Sequence, residues 1–251
     1  MNAVVTAGGR IDGPYARAAG TTVKALVRVR GRTLLERAIA AVRGAGIGRI
    51  AVVGNDDVAS ACRDAVDRIV PDRGDGAANV LAALHAFADD PGTPVLLMVS
   101  DLPFVEPTHI RAFLSRVPPA TLALALARYE EFQERFPGLP DPGIRCREGR
   151  VVNGGALVIP PGAAAVIVPF AARFFEARKS LLRMARLAGI GTLLRFVTGT
   201  LSLPALERRA SGVLGIPARA IVGMAPELAF DLDDLQRFHY ALRVAGDDGY
   251  E

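Results

Sequence analysis

Ala3-Val4-Val5-Thr6-Ala7-Gly8-Gly9-Arg10 is an apolar run that stops on a glycine pair and an arginine, and Lys24 follows fourteen residues after that arginine. The run reads as a short buried strand, and the glycines as the turn that leaves it. Backbone N–H groups in such a turn can approach phosphate oxygens closely, because no Cβ stands in the way. The lysine is the unusual member. Among thirty basic residues the chain has only two lysines, Lys24 and Lys179. Arginine is a planar fork, whereas the lysine ammonium is a compact point charge on a flexible stem, well suited to phosphate. Strand, glycine turn and lysine together point to a nucleoside triphosphate site. The Walker pattern and the dinucleotide G-x-G-x-x-G pattern are both absent.

At 251 residues, 51% hydrophobic and 22% charged, the chain can bury a sizeable core. The net charge of +4 is carried almost wholly by scattered arginine. Mild attraction to polyanionic ligands fits that charge, but no aromatic-basic stripe points to nucleic acid. Cys62 and Cys146 form no CxxC or metal-ligand spacing, and read as free thiols in a reducing cytoplasm. The N-terminal run lacks a basic lead and breaks at Gly8-Gly9, so it does not read as a signal peptide. No stretch reaches the roughly 18 uninterrupted apolar residues of a membrane span.

Outward from the glycine loop, strand-like and helix-like segments alternate. Residues 33–44 are predicted helical, with Leu34, Leu35, Ile39 and Val42 on one face. Strands are expected at 49–53, 68–70 and 94–100, and helices at 58–66 and 77–88. The second half is less regular. It offers strands at 122–127, 151–159 and 218–222, a polar, proline-rich loop at 130–143, and helices at 170–196 and 232–244. Short, fully apolar strands alternating with helices imply a mostly parallel sheet covered on both faces, a three-layer α/β/α sandwich of Rossmann-like form. Ligands bind at the carboxyl ends of such strands. The glycine loop, Asn55-Asp56 and Asp101 all fall there.

Asp101 closes the apolar strand in Asp101-Leu102-Pro103. A carboxylate there can hold a divalent cation against phosphate oxygens, or cap the helix that starts near Pro107. Phe230-Asp231-Leu232-Asp233-Asp234 offers late carboxylates with the same two uses. His85, His109 and His239 fall in helical segments and read as structural.

These motifs resemble the MobA-like nucleoside-triphosphate transferases, which share the GT-A-type nucleotidyltransferase fold. The opening pattern stands here as Thr6-Ala7-Gly8-Gly9-Arg10 and Lys24-Ala25-Leu26, followed by Gly31-Arg32-Thr33-Leu34-Leu35. Relatives often have Gly-Lys-Pro-Leu at that last point, and the family's T-P-E-D after the late aspartates is missing. The resemblance implies a single domain over 1–251 with a helical insertion at about 170–212. It implies that Thr6, Ala7, Gly8, Gly9 and Arg10 wrap a triphosphate neutralised by Lys24. Asp101 is the implied metal ligand, with Asp231 as second and Asp233 as runner-up, for Mg²⁺ or Mn²⁺. Asn55, Asp72, Gly76 and Asn79 match positions around the base and ribose. Arg145, Gly154, Gly155 and Lys179 are candidates for the acceptor.

The activity implied is nucleotidyl transfer, with Arg10, Lys24 and Asp101 as the catalytic group. An acceptor phosphate attacks the α-phosphorus and pyrophosphate leaves. The expected partners are a nucleoside triphosphate and a phosphorylated small-molecule acceptor, with no nucleic acid and no stable membrane insertion. A homodimer is left open. The rivals are a GT-A glycosyltransferase using a sugar-nucleotide and a nucleotide-binding sensor without catalysis.

Overall fold

The computed structural model describes residues 1–74, 76–140, 143–177 and 189–247. Its centre is β1 (Asn2–Thr6), where Ala3, Val4 and Val5 are fully buried. It is flanked in parallel by β4 (Arg49–Gly54) and β6 (Val95–Val99), and β5 (Arg68–Pro71) extends the parallel set beyond β4. On the other side β9 (Gly149–Ile159) runs antiparallel between β6 and β7 (Leu122–Arg128), and β10 (Ala218–Val222) closes the edge parallel to β7. The order β10-β7-β9-β6-β1-β4-β5 is a mixed, mostly parallel sheet, as the strand composition implies.

Alternation along β1 sorts the core. Ala3 and Val5 face a cluster with α2 (Leu34–Gly44) and α5 (Pro107–Leu114), which includes Leu35, Ala38, Val42, Ile110 and Phe113. Val4 faces the other way, into a cluster with Ala83 and Leu84 of α4 (Gly76–His85), Phe87 just beyond it, and Ile167 of α7 (Ala164–Ala177). Each face of the sheet therefore carries helices. The helix α2 begins with a reciprocal capping box. Thr33 accepts from the Glu36 N–H at 3.1 Å, and Glu36 accepts from the Thr33 N–H at 2.6 Å.

Three local expectations are corrected. The stretch expected to loop from 130 holds α6 (Tyr129–Arg135), whose Phe132, with Phe136 one turn on, is fully buried. So short a helix shows one apolar contact per turn, and its outward residues dominate the sequence pattern. The second helix, α3 (Asp56–Cys62), ends before 66, because the chain turns at Cys62 to feed β5. The C-terminal helix starts at Leu235, not 232, because Asp234 caps it by accepting from the Arg237 N–H at 2.7 Å.

Two of the unanticipated elements flank the cleft-bearing loops or β9. They are α1 (Gly13–Ala19), with proline at its start and the left-handed Gly20 at its end, and β8 (Ile144–Cys146), a hairpin partner of β9. Among the described residues no helix is long and apolar enough to cross a membrane.

A cleft at the carboxyl ends of the strands

The loop after β1 is held as a hairpin. Lys24 N donates to Gly9 O at 3.0 Å and Ile11 N donates to Thr22 O at 3.0 Å, with α1 contained between. This accounts for the fourteen-residue gap, since the excursion returns Lys24 to the glycines. Neither Gly8 nor Gly9 has a positive φ. Space is what demands them. A Cβ on Gly8 would stand 3.0 Å from the Asp72 carboxylate, and one on Gly9 would stand 3.3 Å from Lys24 Cβ and Cδ. The glycine pair thus lets a carboxylate and a lysine close on the same loop.

The Lys24 ammonium, with its side chain only 13% exposed, is bonded to both Asp101 and Asp233. Asp101 follows β6, and the helix beyond it takes Glu106 as its N-cap, so Asp101 is not spent on capping. Its Oδ1 is buried and has no hydrogen-bond partner. The late segment reaches it through a backbone bond, Leu232 N to Asp101 O at 3.1 Å. Phe230 and Leu232 are fully buried, and the residues between and after them, Asp231 and Asp233, turn to the cleft side. Alternation in an extended segment therefore presents both carboxylates together.

The crowding of charge shifts Lys24, Asp231 and Asp233. Burial alone would lower the proton affinity of Lys24, but Asp101 and Asp233 overturn that and raise it. Burial would also raise Asp233, yet the bond from Lys24 holds it low. Asp231 is pushed up to about 6, first by burial and then by the charges of Asp233 and Asp101, with Arg237 and Lys24 opposing. Among the described residues, no trio of His, Cys, Asp or Glu side chains gathers into a ready metal cage.

The cleft has a volume of about 750 Å³, within the range of small-molecule sites. Thr6, Gly8, Gly9, Arg10, Lys24, Asp72, Asn79, Asp101 and Asp231 all line it. Asp72 Oδ1 accepts from the Gly74 N–H at 2.9 Å and from Asn79 Nδ2 at 2.7 Å, and Asn79 Oδ1 accepts from the Arg73 N–H at 2.7 Å. Gly154 and Gly155 complete the rim from β9. A Cβ on Gly154 would lie 2.6 Å from Ala125 O, and one on Gly155 would lie 2.4 Å from Val99 Cγ2, so sheet packing itself requires both glycines.

Other expected residues fall elsewhere. Asn55 caps α3, accepting from the Val58 N–H at 3.3 Å, and does not line the cleft. Ala7 is buried and extends the sheet through a 2.7 Å bond to Val53 O. Gly76 opens α4. Arg145 is exposed on β8, off the cleft walls. Lys179 lies outside the described residues. Sequence reasoning missed Ser100 and Gly74 as cleft residues. Ser100 directly follows β6 and Gly74 lies three residues past β5, and that placement was the available signal.

The model of the MobA-like NTP transferase domain matches residues 3–200. The chain belongs to this family. It is therefore an enzyme of the nucleotidyltransferase class. A hypothetical transferase from Thermus thermophilus is 32% identical, with a TM-score of 0.84 over 94% of this chain and 99% of that one. A stretch of 105 residues is 36% identical to the bifunctional protein GlmU of Xanthobacter autotrophicus (strain ATCC BAA-1158 / Py2). That stretch is 38% of this transferase but only 22% of GlmU. A Mycobacterium tuberculosis H37Rv protein, solved in complex with manganese, shares the fold at 22% identity and a TM-score of 0.50, covering 96% of this chain and 97% of its own.

Proposed function

We propose that this transferase moves a nucleoside monophosphate from a nucleoside triphosphate to a phosphorylated small molecule, releasing pyrophosphate. One observation carries the reading: Lys24 stands in the glycine loop, bonded to Asp101 and Asp233, at the carboxyl ends of β1 and β6. An acceptor phosphate oxygen attacks the α-phosphorus, the bond from that phosphorus to the bridging oxygen breaks, and pyrophosphate leaves with the electron pair. No protein nucleophile is required. Lys24, Arg10 and the loop amides neutralise and orient the phosphates, and fixed charge at that spot lowers the barrier. Asp72 and Asn79, locked to each other, form the nucleoside side, and Gly154 and Gly155 the acceptor side.

A divalent cation, Mg²⁺ or Mn²⁺, fits the donors. Asp101 Oδ1 is buried without a partner, and Asp231 lines the same cleft. Two carboxylates completed by phosphate oxygens and water suit a hard cation that keeps part of its hydration. When bound, it would offset charge developing on the phosphates. The manganese complex of the Mycobacterium tuberculosis relative supports the same choice. Asp101-Leu102-Pro103 lacks the second carboxylate of a D-x-D pair, which disfavours a sugar-nucleotide glycosyltransferase.

A pyrophosphate-release assay over the common nucleoside triphosphates and a panel of phosphorylated acceptors tests this. Lys24→Ala and Asp101→Ala should abolish release while circular dichroism remains native. Wild-type turnover in both variants sinks the proposal, and nucleotide binding with no release under any pairing points to a sensor.

A further inference from the structure

Asp231 does not hold itself in place. Arg237, one turn into α10 (Leu235–Asp247), reaches back to it, with Nη1 3.0 Å from Asp231 Oδ1 and 3.4 Å from the Asp231 carbonyl oxygen. The same guanidinium sends Nη2 to Pro140 O at 3.3 Å, and its Cζ lies 5.9 Å from the centre of the Phe230 ring. Arg237 is only 9% exposed. A buried guanidinium is costly unless its donors are met, so a chain that merely needed to fill this space would do better with an apolar residue. Apart from Pro140, the partners named here, Asp231 and Phe230, belong to the segment that carries the late carboxylates. By donating to Oδ1 it ties down one oxygen of a side chain that lines the cleft.

We propose that Arg237 is a positioning residue: it holds Asp231 in the orientation that binds the divalent cation. The inference rests on the metal reading above and assigns a role to a residue that the cleft itself does not contain. Outer partners of metal-binding carboxylates set ligand orientation, and their loss typically costs about 10–100-fold in metal affinity. Lysine keeps the charge but loses the planar fork, so it should restore the function only in part.

The test counts bound Mn²⁺ by electron paramagnetic resonance, with and without GTP or CTP, and follows melting temperature alongside. Arg237→Met should weaken Mn²⁺ binding about 10–100-fold, with Arg237→Lys falling between it and the unaltered chain. Pairing Arg237→Met with Asp231→Asn should weaken binding no further than Asp231→Asn alone, because both changes remove one ligand. A lowered melting temperature with Mn²⁺ affinity intact in the Met or Lys variant would mean that Arg237 only supports the fold, and overturns the inference. So would losses that add in the double variant. If Arg237→Met does not fold, Arg237→Lys carries the comparison. Unchanged Mn²⁺ binding in Asp231→Asn, or none in the unaltered chain under any of these conditions, overturns the metal reading itself. A loss in Asp231→Asn but not at Arg237 removes only this inference.

Discussion

At the residue scale the site is a problem of crowded charge. Lys24 is shared by Asp101 and Asp233, which leaves Asp231 beside two other carboxylates with Arg237 as its own bonded cation. Its raised pKa has a definite sign in stability. Between 3.8 and about 6 the folded chain keeps a proton on Asp231 that the unfolded chain has released. Asp231 therefore makes stability fall as pH rises through that window. The depressed Asp233 and Asp67 act the opposite way, at lower pH. The melting temperature of Asp231→Asn minus that of wild type should thus climb from pH 4 to pH 6 and then level off. Parallel curves would show that Asp231 is unshifted. The glycine pair and Asp101 were legible in the sequence because each follows an apolar strand, and the lysine because it is one of only two. The reason for the glycines was not, since it depends on Asp72 and Lys24 closing on the loop through space.

At the scale of elements, caps decide which polar residues remain for chemistry. Asp234 and Asn55 each cap a helix, whereas Asp101 and Asp233 cap none and bond Lys24. Asn55→Ala should cost about 1 kcal/mol of stability, and Asn55→Ser, which can still cap, should cost much less. Nucleotide affinity should stay at the wild-type level in both. Chemical denaturation and nucleotide titration check this, and weakened binding in a stable Ser variant would return Asn55 to the ligand. Sequence alone could not separate the two uses, because asparagine after a strand looks the same in either. The apolar strands β1, β4 and β6 were plain from their runs of aliphatics. The short helices α1 and α6 were not, because seven residues hold too few turns to display a period.

Across the whole molecule, an aromatic cluster joins distant parts of the chain. The Phe136 ring lies 4.7 Å from Phe230, 5.4 Å from Phe132 and 5.6 Å from Phe104, centre to centre. Phe104 follows Asp101 by three residues and Phe230 precedes Asp231, so this cluster sets both carboxylate segments at once. Phe136→Ala should cost about 3–5 kcal/mol in urea unfolding. A loss well below 1 kcal/mol would mean that the cluster bears little of the fold. The alternation of segments announced the parallel half of the sheet. The antiparallel β9 in its middle could not be read, because strand order is set by tertiary pairing and not by local pattern.

The bond between Lys24 and Asp233 spans 209 positions of chain. During synthesis at about 5–20 residues per second, Lys24 waits roughly 10–40 seconds for that second carboxylate to be made. Asp101 reaches Lys24 after 77 further residues, but the second carboxylate arrives only just before the last helix is added. Competence for chemistry is therefore a late event in the life of each nascent chain, and a ribosome that stalls before residue 231 releases a loop without its late carboxylates.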